Sequence, residues 1–270
     1  MKKAIACIVF VLCIGLSACK TIPVTGRKQM NLVPDAMLNS LAFTTYDTIV
    51  KNSTTLGKND EREQLVERVG AKIQRAVETY MQQNGMSKEL KNFKWDYNTI
   101  DAATVNAWCM PGGKVVVYTG LLPYTQNENA LAVVMGHEIA HAIARHGNER
   151  MSQGLLISLG GMVLQDALKE KKAQTQALFL GLYVVGSNLA LALPNSRMQE
   201  SEADQLGLIF ATMAGYDPDE AIPFWQRMAA GNKNKMPEFL STHPSNETRI
   251  KKLATLIPEI KSKYSNQPSN

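Results

Sequence analysis

The sequence has little of what an extended, cross-linked or nucleic-acid-binding protein needs. Glycine (18) and proline (11) are too few among 270 residues for a collagenous or low-complexity chain. Cysteine occurs at four positions, Cys7, Cys13, Cys19 and Cys109, too sparsely for a disulfide scaffold. Aromatic residues make up an ordinary 7%. The formal charge is only +5, and the lysines and arginines are scattered, so no basic stripe for nucleic acid is present. What remains is 45% hydrophobic and 20% charged, the composition of a globular chain long enough to bury a core.

The N-terminus reads as a targeting segment. Lys2 and Lys3 precede an apolar stretch from Ala4 to Leu16, too short for an ordinary membrane span. Leu16-Ser17-Ala18-Cys19 follows and resembles a bacterial lipobox. The resemblance implies a lipoprotein signal peptide over residues 1–18 and lipidation of Cys19, which anchors the chain to a membrane. Cleavage removes Cys7 and Cys13, so the mature monomer forms no disulfide. Lys20, where inner-membrane retention usually needs Asp, points to a bacterial outer-membrane lipoprotein facing the periplasm. Residues 19–34, interrupted by Pro23, Gly26 and Pro34, read as a lipidated, extended tether.

A single domain is expected over 35–264, with a disordered tail at 265–270. Leu65, Val69, Ile73 and Val77 recur at helical spacing. The period then shortens: Phe93, Trp95 and Tyr97 alternate with polar residues, and Ala103 to Cys109 and Lys114 to Thr119 read as two further strands around a Pro111-Gly112-Gly113 turn. A small antiparallel sheet is therefore expected at mid-chain. Thr125-Gln126-Asn127-Glu128 reads as a capping box opening a helix to about Met151. Two apolar stretches, 154–164 and 177–193, read as a buried or membrane-surface helical pair in preference to true spans. The expected class is α+β, mostly helical.

His137-Glu138-Ile139-Ala140-His141 is an HExxH motif on that helix. Residues four apart lie about 40° round a helix, so both imidazoles face one Zn²⁺. Glu138, turned by about 100°, reaches the water on the metal and takes its proton as that water attacks a peptide carbonyl. His146 lies about 140° beyond His141 and reads as structural. A third ligand is sought in Glu200-Ser201-Glu202-Ala203-Asp204. Glu200 and Asp204 share a face, which favours Glu200 as ligand and Asp204 as the group orienting a ligand histidine. His243, before Pro244, is open between a surface residue and a donor to the developing oxyanion.

With these residues the chain resembles zinc metallopeptidase family forty-eight, the HtpX-like and CAAX prenyl endopeptidases, and within it the LoiP- and BepA-like lipoprotein proteases. The resemblance is carried by Val105-Asn106-Ala107, Pro111-Gly112-Gly113, His137 to His141, Arg145-His146, Ser196-Arg197 with Glu200 and Asp204, and His243-Pro244 with Arg249. It implies a gluzincin fold with the small sheet beside the active-site helix and one zinc per chain. It also implies substrate strand addition near Asn106 and Ala107, and His243 at the metal site as a catalytic group. The function it implies is a membrane-anchored endopeptidase for unfolded or misassembled envelope proteins. A scaffolding or chaperone-like lipoprotein with low or latent activity is the alternative.

Overall fold

The computed structural model describes residues 19–22, 25–187, 193–230, 237–243 and 247–265. The proposed signal peptide, Pro23, Val24, Pro244 and the end of the tail lie outside them. The described strands are β1 (Cys19–Thr21), β2 (Lys28–Met30), β3 (Asp96–Ile100), β4 (Ala107–Met110) and β5 (Lys114–Tyr118). The helices are α1 (Asp35–Lys51), α2 (Glu61–Gln83), α3 (Leu122–Thr125), α4 (Glu128–Ile143), α5 (His146–Ala167), α6 (Ala173–Ser187), α7 (Leu193–Met213), α8 (Ala221–Ala230), α9 (Glu238–Thr242) and α10 (Glu247–Tyr264). The chain divides into two compact units, Asn39–Ala144 with Glu200–Asn270, and Met1–Leu38 with Arg145–Gln199.

In the larger unit, the four-residue repeat of α2 buries Val69, Ile73 and Val77, with Val66, Ala76 and Met81 beside them. This face packs against α4 and β3. Tyr97 of β3 lies across Gly70 and donates its hydroxyl to the Gly70 carbonyl at 3.0 Å. The sheet has the order β3-β5-β4 and is mixed. β4 pairs antiparallel with β5, as expected, but β3 pairs parallel with it, Asp96 opposite Lys114. The departure comes from insertion: β5 returns through the tight turn and enters between β3 and β4. Gly112 and Gly113 hold φ of +83° and +85° in that turn, where a side chain would be strained.

Helix α4 is buried almost throughout, from Ala130 to His141, as its apolar circumference requires. Its cap is Asn127, whose side chain accepts from the Ala130 amide at 2.9 Å. Thr125, the expected cap, instead donates to the Leu122 carbonyl at 3.1 Å. The helix also stops short of Met151. Arg145 adopts φ 55°, a left-handed conformation that breaks the hydrogen-bond ladder, and α5 starts afresh at His146.

In the smaller unit, β1 and β2 form a hairpin in place of an extended tether, with Cys19 opposite Met30. Arg27 binds Glu149 of α5 through two bonds, 2.6 and 2.8 Å long. The Leu32 amide donates to Ser152 Oγ at 2.8 Å, and Asn148 donates to the Val33 carbonyl at 2.7 Å. The two apolar stretches form α5 and α6, which meet where Tyr183 donates to the Ile157 carbonyl at 3.0 Å. Among the described residues, no helix is long and apolar enough to cross a membrane.

Candidate functional site

The HExxH spacing does what helix geometry requires. His137 Nε2 and His141 Nε2 lie 3.1 Å apart on one face of α4. Helix α7 brings Glu200 to the same point, with its carboxylate oxygens 3.4 Å from His137 Nε2 and 3.3 Å from His141 Nε2. His243, just after α9, adds Nδ1 at 3.1 Å from His137 Nε2 and 2.9 Å from Glu200 Oε2. The four residues offer donor atoms all within 4.8 Å of one another.

This set fits zinc. A tetrahedron with arms of about 2.0–2.1 Å has edges of about 3.3–3.4 Å, close to the separations between these donors. Three imidazoles and one carboxylate are the ligand types that zinc takes. The electrostatics agree. Burial alone would raise the Glu200 carboxyl, but contacts with His137, His141 and His243 outweigh it and hold that group far below the carboxylate range. Burial would lower His137, yet Asp204 and Glu200 raise it to about 9. A buried site that favours positive charge so strongly suits a cation.

Glu138 points into the same place. It is 4% exposed, and Oε1 has no hydrogen-bond partner. His243 Nε2 lies 3.4 Å away. Burial raises the Glu138 carboxyl, against the opposing charges of His243 and His137. A buried carboxylate oxygen without a hydrogen bond costs stability.

Asp204 Oδ1 lies 3.0 Å from His137 Nδ1. Arg249 was legible only as part of a motif. Its guanidinium binds both Asp204 oxygens and lies 3.6 Å from the centroid of the Trp225 ring. Trp225 gave no signal beyond an aromatic residue in an amphipathic helix. Phe239 stacks at 5.7 Å on Trp225 and packs at 4.7 Å against His243, so aromatic contacts fix the fourth donor.

Ala107 opens the edge strand β4, and Asn106 precedes it. The Asn106 side chain accepts from the Ala107 amide and donates to Glu238, at 2.9 and 3.1 Å. The Phe239 amide donates to the Val105 carbonyl at 3.1 Å. The segment carrying His243 is thus held to the start of the edge strand. His146 is buried in α5 and is not among the four donors.

Comparison with known proteins agrees with the site. The model of Peptidase family M48 matches residues 67–257. A mitochondrial metalloendopeptidase OMA1 from Schizosaccharomyces pombe is 36% identical over 193 residues, 71% of this chain and 54% of that protein. The human metalloendopeptidase OMA1, mitochondrial, is 29% identical over 245 residues, 88% of this chain and 45% of that protein. A beta-barrel assembly-enhancing protease from Yersinia pestis is 32% identical over 151 residues, 54% of this chain and 31% of that protein. The chain spans about half the length, or less, of these relatives. They correct two expectations. The bacterial lipoprotein branch is not singled out, because mitochondrial proteins match over more of the chain than the Yersinia protease does. The placement as a bacterial outer-membrane lipoprotein is overturned on the same ground, six mitochondrial relatives standing against it. The expected class itself holds: a match of this extent, over a chain in which His137, His141, Glu200 and His243 converge, means that the chain belongs to Peptidase family M48, a family of zinc metallopeptidases.

Proposed function

We propose that the protein is a membrane-associated zinc endopeptidase that cleaves unfolded or misassembled proteins, with His137, His141 and Glu200 holding the metal and Glu138 serving as the base. The observation that carries this is Glu138 Oε1, buried and without a hydrogen bond, 3.4 Å from His243 Nε2 beside the converging donors. A structural site has no use for such a group. Bound zinc would supply a Lewis acid that polarises a peptide carbonyl and acidifies water.

The chain's own residues do the rest. His137 donates Nδ1–H to Asp204, which leaves the Nε2 lone pair facing the metal position. Glu138, its carboxyl raised by burial, is a stronger base than a solvated carboxylate. It takes a proton from the attacking water and returns it to the leaving amine. β4, at the sheet edge beside Asn106 and Ala107, offers main-chain groups to an extended substrate. Such binding reads backbone more than side chains and suits unfolded chains.

A second reading, a latent or scaffolding protein, is favoured by one observation. His243 is a fourth protein donor, whereas a catalytic zinc keeps one position open. One comparison separates the two: cleavage of unfolded casein by the zinc-loaded protein and by its Glu138→Gln variant. The enzyme reading expects cleavage by the parent alone, with zinc bound equally by both. Zinc binding without cleavage by either protein overturns it in favour of the second reading.

A further inference from the structure

We propose that the α5–α6 hairpin docks on a lipid bilayer, lying along its interface without spanning it. Among the described residues, no side chain from Gln153 through Gly186 is buried. Yet the segment is rich in aliphatic residues. Leu159 is 52% exposed, Val163 71%, Leu178 60% and Leu182 59%. Leu155, Leu159, Met162 and Val163 recur at helical spacing and share one stripe of α5. Leu178, Leu182 and Val185 do the same on α6. Contact between the two helices lies elsewhere, where Tyr183 crosses Gly160 and reaches the Ile157 carbonyl. A stretch of two helices that buries no side chain gains little core energy against the entropy of ordering it. A contiguous exposed aliphatic surface of this kind marks an interaction face.

Charge identifies the occupant. Met151 through Gln165 and Ala173 through Ser196 contain no Asp, Glu, Lys or Arg. Charges stand at the two ends: Glu149 and Arg150 at the base, and Asp166, Lys169, Glu170, Lys171 and Lys172 at the turn. A surface facing water or a soluble partner carries interspersed charge. An apolar strip flanked by charges at both ends matches a bilayer interface, with lysine stems reaching back to the headgroups. Tip-first insertion would carry the charged turn into hydrocarbon, which is costly, so the hairpin lies flat.

The test uses the full chain reconstituted in vesicles of phosphatidylcholine and phosphatidylglycerol. A Phe179→Trp substitution reports on α6, against the parent's Trp95, Trp108 and Trp225. The added emission should shift to the blue on vesicles and be quenched by acyl-brominated lipid. Introducing Leu159→Asp and Leu182→Asp into the same chain should abolish that quenching. Circular dichroism and zinc content should stay unchanged, which shows that the larger unit remains folded. Absence of quenching in the first variant overturns the proposal, as does quenching that survives the two aspartates. A blue shift that needs no lipid and grows with protein concentration also overturns it, and assigns the face to a second copy of the chain.

Discussion

Arg249 grips Asp204 through two parallel hydrogen bonds, Nε to Oδ2 at 2.9 Å and Nη2 to Oδ1 at 2.6 Å. Both residues are buried, and the Trp225 ring lies under the guanidinium. The fork locks the carboxylate plane, and the carboxylate holds His137 by Nδ1. Asp204 is kept ionised by this arrangement. Burial pushes its carboxyl up, while Arg249 and His137 bring it below the usual range. The Asp204→Asn variant should therefore bind zinc about 10–100-fold more weakly. Arg249→Lys keeps the charge but loses the fork, and should weaken binding by less. Competition against a chromophoric chelator measures both. Unchanged affinity in Asp204→Asn would mean that the contact with His137 is packing alone.

The position of His243 separates two roles that its sequence context leaves open. Its Nδ1 lies among the donors, while Nε2 faces Glu138. A metal donor and an oxyanion donor behave differently on truncation. His243→Ala should retain one zinc per chain, held by His137, His141 and Glu200, with affinity reduced. A residue that served only the oxyanion would leave affinity unchanged and lower kcat instead. Equilibrium dialysis of the variant decides between them.

Metal removal should destabilise the protein. Four donors that converge without a cation leave buried nitrogen and oxygen atoms facing one another at 2.9–3.4 Å. Zinc at a hundredfold excess over its Kd stabilises a folded chain by about 2.7 kcal/mol. For a domain of this size class each kcal/mol moves Tm by about 2–4 °C. Chelation should lower Tm by about 5–10 °C on that arithmetic, and added zinc should restore it. Calorimetry with and without chelator is the measurement. A Tm indifferent to chelator would show that the donors are satisfied without metal.

The parts of the site legible in the sequence are those fixed within one helix. His137 and His141 are four residues apart, as are Glu200 and Asp204, and helix geometry alone puts each pair on one face. Contacts between distant segments left no such trace. Nothing local joins Trp225 to Arg249, or Trp225 to Phe239, because those pairs arise from packing of α8, α9 and α10 around the site. Local rules also misplaced boundaries. Thr125 satisfies the capping pattern, but Gln126 takes φ 65° and hands the cap to Asn127. Arg145 breaks the helix with a left-handed backbone that no arginine advertises. β3 pairs parallel because β5 inserts beside it, a topological outcome that alternation of apolar residues does not encode.

Beneath the site two helices meet backbone to backbone. A Cβ on Gly207 would lie 2.6 Å from the His137 amide nitrogen, and one on Gly136 would lie 2.7 Å from the Gly207 carbonyl oxygen. Helices α4 and α7 cross here with no side chain between them, which is what lets Glu200 and Asp204 reach His137. A methyl group has no flexible neighbour to displace, so the helices themselves must part. Gly207→Ala should cost about 1–3 kcal/mol, read as a fall in Tm. Because the crossing also sets the spacing of the donors, zinc affinity should fall with it. Gly57→Ala is the control, since a Cβ there meets nothing within 4 Å. Loss of stability with zinc affinity intact in Gly207→Ala would show that the donors adjust independently of the crossing, and that the glycine pair serves the core alone.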